Sequence, residues 1–179
     1  EIKAELLSAS YSVIKVKTKK VARQPAPPFI TSTLQQEAWH RLRFTAAETM
    51  AVAQQLYEGL SIGNKGSTGL ITYMRTDSPR VAHSATLEAR DYIINSYGAE
   101  FVPPRARFFT VKVKAAQEAH EAIRPTKIQQ QPNLIKQYLT VKQFKLYQLI
   151  WQRMVASQMA AASFSNTTID IEARCPLSK

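Results

Sequence analysis

The sequence is most informative over the ten residues Gly69-Leu70-Ile71-Thr72-Tyr73-Met74-Arg75-Thr76-Asp77-Ser78. The β-branched and aromatic residues from Leu70 to Tyr73 predict a short strand that begins after Gly69. Because side chains alternate between the faces of a strand, we expect Tyr73, Arg75 and Asp77 to project to one side. A phenol can act as a covalent nucleophile, and a guanidinium is a natural bidentate partner of a phosphate. The pattern indicates a tyrosine directed at a phosphodiester, and the alternative is a buried strand tyrosine beside a surface Arg–Asp pair.

Helices are predicted on both sides of this stretch. One begins near Ser32 and aligns Leu34, Ala38 and Leu42, and a second begins at the capping box Thr45-Ala46-Ala47-Glu48 and carries Met50, Ala53, Leu56 or Tyr57, and Leu60. A turn at Arg43-Phe44 joins the two helices, and a loop from Gly63 to Gly66 leads to the Tyr73 strand. This order is compatible with a winged-helix or catabolite-activator-like arrangement.

Two more helices are predicted after Tyr73. One runs roughly from His83 to Tyr97 and ends at Gly98, a common residue after a helix. The last begins at the capping box Thr140-Val141-Lys142-Gln143 and carries Phe144, Tyr147, Ile150, Trp151 and Met154. We expect Tyr147 and Trp151 to lie in the core, since they share a helical face with Ile150 and Met154.

The two ends of the chain have the alternating pattern of strands. Residues 12–18 predict the first strand and residues 167–172 predict the second, while the proline-rich residues 22–28 predict a linker. The fold class is therefore mainly α with short β-strands. We expect a helical domain at residues 25–161 inserted into a partial β domain formed by residues 1–24 and 162–179.

The composition favours a polyanionic partner. The 179 residues carry a net charge of +11 with a pI near 9.9, which suits nucleic acid, although a ribosome-associated or membrane-surface protein can have the same balance. No apolar run is long enough to span a bilayer, and no signal peptide is visible. The single cysteine, Cys175, excludes an internal disulfide and fits a reducing cytoplasm.

Three motifs together resemble the type IA DNA topoisomerases of bacteria. The first is the Tyr73 stretch, the second is Gln117-Glu118-Ala119-His120-Glu121-Ala122-Ile123-Arg124-Pro125-Thr126, and the third is Pro28-Phe29-Ile30-Thr31-Ser32-Thr33-Leu34-Gln35-Gln36. The resemblance implies that Tyr73 attacks a DNA phosphate and becomes linked to its 5′ side. It also implies that the partial β domain belongs to a β-rich arch, and that the protein is cytoplasmic and associated with the bacterial nucleoid.

The resemblance implies roles for the other motif residues. Arg75 would bind the scissile phosphate. His120 would be a third catalytic residue, which lies close to the tyrosine and contacts the scissile phosphate or tunes the site. Asp77 would orient Arg75 or His120, although a solvated Asp–Arg pair is an equal alternative. Thr76 and Glu118 are supporting residues of the same motifs.

Basic residues outside the tyrosine motif have less specific interpretations. Arg124 is expected mainly to support the structure, with a phosphate contact as the minor alternative. Arg41 and Arg43 are candidates for contact with the DNA backbone if the helix-turn-helix forms. The basic run Lys15, Lys17, Lys19, Lys20 and Arg23 is expected to be a solvated strand and linker, with DNA contact as the minor alternative.

No cofactor is predicted to bind this chain. A zinc helix motif would need a second histidine four residues after His120, where Arg124 stands. By the resemblance, Mg²⁺ is bound in the full enzyme by the acidic cluster of a separate Toprim domain, and Glu118 and Glu121 are not expected to be metal ligands. The sequence has no Walker-type loop, so no ATP is expected. The expected partners are single-stranded or underwound DNA and the Toprim and arch domains of the same polypeptide, without a membrane.

Two other classes of function stay open on the residues alone. One is a non-catalytic, winged-helix-like DNA-binding module in which Tyr73 only packs. The other is a different tyrosine-dependent strand transferase, such as a recombinase or relaxase, whose Arg and His sets do not occur in this sequence. The topoisomerase module of reverse gyrase shares the same motifs as topoisomerase I.

Overall fold

The computed structural model describes residues 2–63, 66–109 and 121–176. Its contacts divide the chain into two compact units, one formed by Glu1–Gln24 with Ala161–Lys179 and the other by Pro25–Ala160. In chain order the elements are α1 (Ile2–Leu7), β1 (Ser10–Arg23), α2 (Thr31–Leu42), α3 (Ala46–Glu58), β2 (Leu60–Ser61), β3 (Ser67–Thr68), α4 (His83–Tyr97), α5 (Pro132–Ile135), α6 (Val141–Ser157) and β4 (Ala162–Arg174). Helices predominate and the sheets are small, as the sequence predicts.

The first unit contains a long two-stranded ribbon. Strands β1 and β4 pair antiparallel from Ser10↔Arg174 to Arg23↔Ala162, with a bulge at Ile14. Both terminal strands are confirmed and both are longer than predicted. The prediction that Ala22 and Arg23 belong to a linker is wrong, because both residues pair with β4. Every side chain of β1 is exposed, which agrees with the expected solvation of the basic run.

The second unit, which we call the helical unit, has the core. Helices α2, α3, α4 and α6 supply most of its buried side chains, and the loops add Phe29, Phe44, Ile62, Leu70, Ile71, Met74, Ile123 and Ile128. Tyr147 and Trp151 are buried, so the prediction that they are core residues is confirmed. Each also satisfies its polar atom, since the Tyr147 hydroxyl donates to the Gln130 carbonyl at 2.7 Å and the Trp151 ring N–H donates to the Ile128 carbonyl at 2.9 Å.

The ends of the helices follow local signals. Helix α6 begins with the predicted capping box, in which the Gln143 N–H donates to the Thr140 hydroxyl and the Thr140 N–H donates to the Gln143 side chain. Helix α3 begins after Thr45, whose hydroxyl accepts from the Glu48 N–H. Helix α4 has the predicted bounds and is followed by Gly98 at φ 118°. Helix α2 begins one residue before Ser32, after Ile30.

Several short elements carried no clear sequence signal. Helices α1 and α5 are too short to have a helical repeat of apolar residues. Strands β2 and β3 form a hairpin of two residue pairs after α3. Among the described residues, no helix is long and apolar enough to cross a bilayer.

Candidate active site around Tyr73

Three segments of the helical unit meet at the tyrosine motif. They are Phe29–Thr31, Gly69–Ser78 and the described part of the histidine motif, residues 121–126. The Ile123 N–H donates to the Phe29 carbonyl at 2.8 Å, and the Thr72 N–H donates to the Arg124 carbonyl at 3.0 Å. The Thr31 N–H donates to the Thr76 carbonyl at 2.9 Å. The three motifs that are separate in the sequence therefore share one hydrogen-bonded layer.

The predicted strand from Leu70 to Tyr73 is wrong. The segment makes only an isolated bridge, Ile71↔Pro125, although its backbone is extended enough for the Thr126 N–H to reach the Leu70 carbonyl at 2.9 Å. Ile71 and Pro125 form a non-hydrogen-bonded pair, flanked by the ladder bonds from the Thr72 N–H to the Arg124 carbonyl and from the Thr126 N–H to the Leu70 carbonyl, so the N–H that Pro125 lacks would point away from this segment. The ladder stops at the next pair, because the Arg124 N–H donates to the Thr72 hydroxyl and not to the Thr72 carbonyl. The hydroxyl of Thr72 therefore replaces a backbone acceptor of the ladder. It accepts from the Arg124 N–H at 3.0 Å and donates to the Ala122 carbonyl at 2.6 Å.

Thr31 fixes the other end of the tyrosine segment. Its hydroxyl accepts from the Thr76 N–H at 2.8 Å and lies 2.8 Å from the Met74 carbonyl, to which it donates. Because Thr31 is the first residue of α2, this contact joins the backbone beside Tyr73 to a helix of the core. The Thr76 hydroxyl in turn accepts from the Ser78 N–H at 3.1 Å.

Exposure alternates along the tyrosine segment even without a sheet. Met74, Thr76 and Ser78 are at most 8% exposed. The residues that alternate with them are exposed: they are Tyr73, Arg75 and Asp77. The side chain of Tyr73 is 50% exposed. The expectation that these three side chains share the solvent side is therefore supported, while the buried alternates anchor the segment to the core.

Tyr57 is a neighbour of Tyr73 that sequence reasoning missed. The two rings meet edge to face, with centroids 5.3 Å apart and planes at 64°. The sequence left open whether Leu56 or Tyr57 faces the core. The structure buries Leu56 completely and leaves Tyr57 40% exposed at the end of α3.

Gly69 permits this close approach. A Cβ atom at residue 69 would lie 2.8 Å from the Tyr57 carbonyl oxygen, so a larger residue would push the tyrosine segment away from α3. The Leu70 N–H donates to the Leu56 carbonyl at 2.8 Å beside it. The glycine that begins the tyrosine motif, four residues before Tyr73, was the signal that could have indicated a close backbone neighbour.

Arg124 forms an ion pair behind the tyrosine segment. Its Nε and Nη2 atoms donate to the two carboxylate oxygens of Glu121 at 2.7 and 3.0 Å, and its side chain is only 12% exposed. The same carboxylate accepts from the Ala82 N–H at 2.6 Å, immediately before α4. This geometry favours the structural interpretation of Arg124, and it adds Glu121 as its partner.

The other candidate residues differ in their surroundings. Arg75 makes no hydrogen bond or ion pair within the ranges that the structure describes. Arg41 is exposed and pairs with Glu37 at 2.5 Å, and Arg43 ends α2 in the left-handed region at φ 60°. Partial burial opposes ionisation of Glu37, but Arg41 and Arg153 outweigh it and lower the pKa of that carboxyl. His120 and Glu118 lie outside the described residues.

The described side chains do not form a metal-binding set. Over residues 2–63, 66–109 and 121–176, no three His, Cys, Asp or Glu side chains are close enough together to hold an ion. These described residues therefore do not offer the set of oxygen ligands that Mg²⁺ prefers.

The chain is similar to known bacterial proteins over almost its whole length. It matches the family model described as DNA topoisomerase over residues 1–178. It is 50% identical over 158 residues to DNA topoisomerase 1 of Xylella fastidiosa (strain Temecula1 / ATCC 700964), a match that covers 88% of this chain and 19% of that protein. It is 47% identical over 169 residues to DNA topoisomerase 1 of Helicobacter pylori (strain ATCC 700392 / 26695), covering 94% of this chain and 23% of that protein.

A solved structure agrees with these matches. The full-length topoisomerase I of Thermotoga maritima aligns with 98% of this chain and 29% of its own, at 36% identity and a TM-score of 0.80. The chain therefore belongs to the DNA topoisomerase family. It spans about a fifth of the length of the curated relatives it matches.

Proposed function

We propose that this chain is the tyrosine-bearing domain of a type IA DNA topoisomerase, in which Tyr73 is the attacking group. One observation carries the proposal: in a chain of this family, the half-exposed Tyr73 lies on a segment whose backbone is bonded to both other motifs. Covalent catalysis needs a nucleophile that is open to substrate yet fixed in position. A tyrosine that served only as packing would not need to present half of its surface to solvent.

The proposed step is a transesterification. The phenol oxygen of Tyr73 forms a bond to the phosphorus, the bond from phosphorus to the 3′ oxygen breaks, and a proton reaches that oxygen to give a free 3′ hydroxyl. The product is a 5′-phosphotyrosine, and the reverse transfer reseals the strand. The step exchanges one phosphodiester bond for another, so it needs no ATP.

Arg75 supplies positive charge beside the phenol. Arg75 has no competing partner among the described residues. Its guanidinium can therefore donate two parallel hydrogen bonds to the non-bridging oxygens of a phosphate. Negative charge on those oxygens increases during attack, so a fixed cation stabilises the transition state more than the substrate. His120 is proposed to contact the scissile phosphate or to tune the site, and Asp77 to orient Arg75 or His120. Arg124 is proposed to support the arrangement through Glu121.

The whole enzyme would need more than this chain. By family resemblance, Mg²⁺ would be held by a Toprim domain elsewhere in the polypeptide, where it would stabilise negative charge on the phosphate. The helical unit would be the part that moves away from that base while another strand passes, so that underwound DNA is relaxed. The substrate would be single-stranded or underwound DNA in the bacterial cytoplasm. The fragment alone is expected to have no catalytic activity.

The arrangement of α2, α3 and the β2–β3 hairpin supports a winged-helix-like description of the helical unit. Two helices joined by a turn are followed by a short hairpin, which is the order of elements in such domains. Arg41 and Arg43, at the end of α2, are proposed to contact the DNA backbone.

The test is formation of a covalent complex by a complete parent protein that contains this segment. The parent is incubated with Mg²⁺ and single-stranded DNA labelled at its 3′ end, trapped with denaturant, and separated on a gel. We expect label on the protein in the parent and in Tyr57→Phe, and none in Tyr73→Phe. Tyr57→Phe is the matched control, because it removes one phenol hydroxyl next to the same ring.

Two outcomes would contradict the proposal. Label retained by Tyr73→Phe would assign the chemistry to another residue and return this domain to the non-catalytic DNA-binding class. If the protein acquired label from DNA labelled at its 5′ end, and none from DNA labelled at its 3′ end, the proposed polarity would be reversed.

A further inference from the structure

We propose that one face of the β1–β4 ribbon binds the backbone of single-stranded nucleic acid. This basic face is defined by Lys15, Lys17, Lys19 and Arg23. It lies in the first unit, and the choice of nucleic acid as partner rests on the proposed function. The geometry of the face does not depend on the chemistry of Tyr73.

The strand register sorts the side chains of the ribbon onto two unlike faces. Lys15 pairs with Asp170, Lys17 with Thr168 and Lys19 with Asn166, so these residues share one face. The bulge at Ile14 shifts the alternation by one residue. Tyr11, Val13, Val16, Ile169 and Ile171 therefore share the opposite, apolar face.

The basic face has little negative charge opposite its cations. Only Lys15 lies directly across from a carboxylate, that of Asp170. From Lys17 to Arg23 the facing residues of β4 run from Thr168 to Ala162, and none of them is acidic. All of these β1 side chains are exposed in the 179-residue chain, so in this chain their charge is available to a partner.

The spacing of the cations suits a linear polyanion. Alternate residues of a strand lie about 6.7 Å apart, so Lys15, Lys17 and Lys19 form a row of charges along the ribbon. The hydroxyl of Thr168 and the amide of Asn166 lie beside this row and can donate to phosphate oxygens. Lysine is a point charge without fixed geometry, so such contacts carry no sequence preference.

An aromatic side chain on the same face favours a single strand. Phe164 pairs with Val21, between Lys19 and Arg23, and its ring is 47% exposed. Exposed rings beside a basic row are the stacking platforms of proteins that bind single strands. In a duplex the bases would be stacked on one another and could not reach this ring.

The test measures binding of the 179-residue chain to a fluorescent oligothymidine over a range of salt concentrations. The double variant Lys17→Gln/Lys19→Gln is compared with Lys20→Gln/Lys145→Gln, which removes the same charge. Lys20 is on the other face of β1, paired with Ser165, and Lys145 is exposed on α6. We expect the salt slope of log K to fall by about 1.4 in the first double variant, since each phosphate contact contributes about 0.7.

Phe164→Leu provides a second readout on the same face. Loss of one stacked base is expected to weaken binding about five-fold or more, whereas the same change at exposed Phe108 leaves it unchanged. Binding by the 179-residue chain involves no covalent step, whereas adduct formation by a complete parent reports on Tyr73, so a failure of the basic face and a failure of the tyrosine chemistry are measured separately. Equal salt slopes for the two double variants, or equal affinities for the two Phe variants, would overturn the proposal.

Discussion

The ribbon and the helical unit differ in what stabilises them. All side chains of β1 are exposed, whereas Phe29, Leu56 and Tyr147 of the helical unit are completely buried. A two-stranded ribbon is marginally stable by itself in water, while a packed core contributes most of the free energy of folding. The comparison teaches that the tyrosine segment is fixed by a core, and that the ribbon owes its form to strand pairing.

The largest expected difference follows from deleting an apolar side chain in each region. Leu56→Ala should lower the free energy of unfolding by about 2–5 kcal/mol, since it leaves a cavity in the core. Val16→Ala, at a side chain that is 60% exposed, should change it by less than about 0.5 kcal/mol. Urea unfolding, followed by circular dichroism and by the fluorescence of Trp39 and Trp151, measures both. A similar loss in the two variants would contradict the comparison.

A smaller difference is expected between two threonine hydroxyls. Thr31→Val leaves the N–H of the buried Thr76 without its hydroxyl acceptor, at a cost of about 1–3 kcal/mol. In Thr18→Val, the lost contact is an exposed hydroxyl pair with Thr167 at 3.1 Å, so we expect almost no change.

The same two variants test whether the contact of Thr31 with the tyrosine segment matters for the reaction. In a complete parent, Thr31→Val should slow covalent-complex formation because the backbone beside Tyr73 loses an anchor, and Thr18→Val should not. A normal rate in folded Thr31→Val would mean that this anchor does not serve the chemistry.

Local signals predicted much of the fold. The bounds of α4, the Thr45 cap of α3 and the capping box of α6 depend on residues within one helical turn, so the sequence displays them. The strand from Leu70 to Tyr73 was predicted wrongly because β-branched residues also suit a buried extended segment, and because nothing local reveals that the Thr72 hydroxyl, instead of the Thr72 carbonyl, accepts from the Arg124 N–H.

The candidate site was predictable in its residues but not in its supports. The alternation that exposes Tyr73, Arg75 and Asp77 is a local property of an extended chain. The contacts of Thr31 with Thr76 and of Tyr57 with Tyr73 join residues far apart in the sequence, and periodicity carries no information about such pairs. Conversely, the bulge at Ile14 changes which β1 residues share a face, and only the register reveals it.

The smallest expected effect concerns pH. Burial raises the pKa of the Tyr147 phenol above its ordinary value of 10.0, and the charge of Glu88 raises it further. A raised pKa in the folded chain means that the contribution to stability is complete below the unfolded pKa and is lost as pH rises through the folded value.

Tyr147→Phe tests this dependence. At about pH 7 the variant should be less stable by about 1 kcal/mol, since the Gln130 carbonyl loses its donor. Above pH 10, where the unfolded phenol ionises, that disadvantage should shrink. Urea unfolding at several pH values measures the difference in stability, and a difference that grows with rising pH would contradict a raised pKa for this phenol.

The most direct measurement of the central claim is to map the DNA adduct to a peptide. Trypsin cleaves after Lys65 and Arg75, so the peptide of residues 66–75 contains Tyr73 as its only tyrosine, and Tyr57 falls in a different peptide. A complete parent trapped on single-stranded DNA should yield this peptide with a nucleotide phosphate on Tyr73. A nucleotide on any other peptide, with residues 66–75 unmodified, would contradict the account.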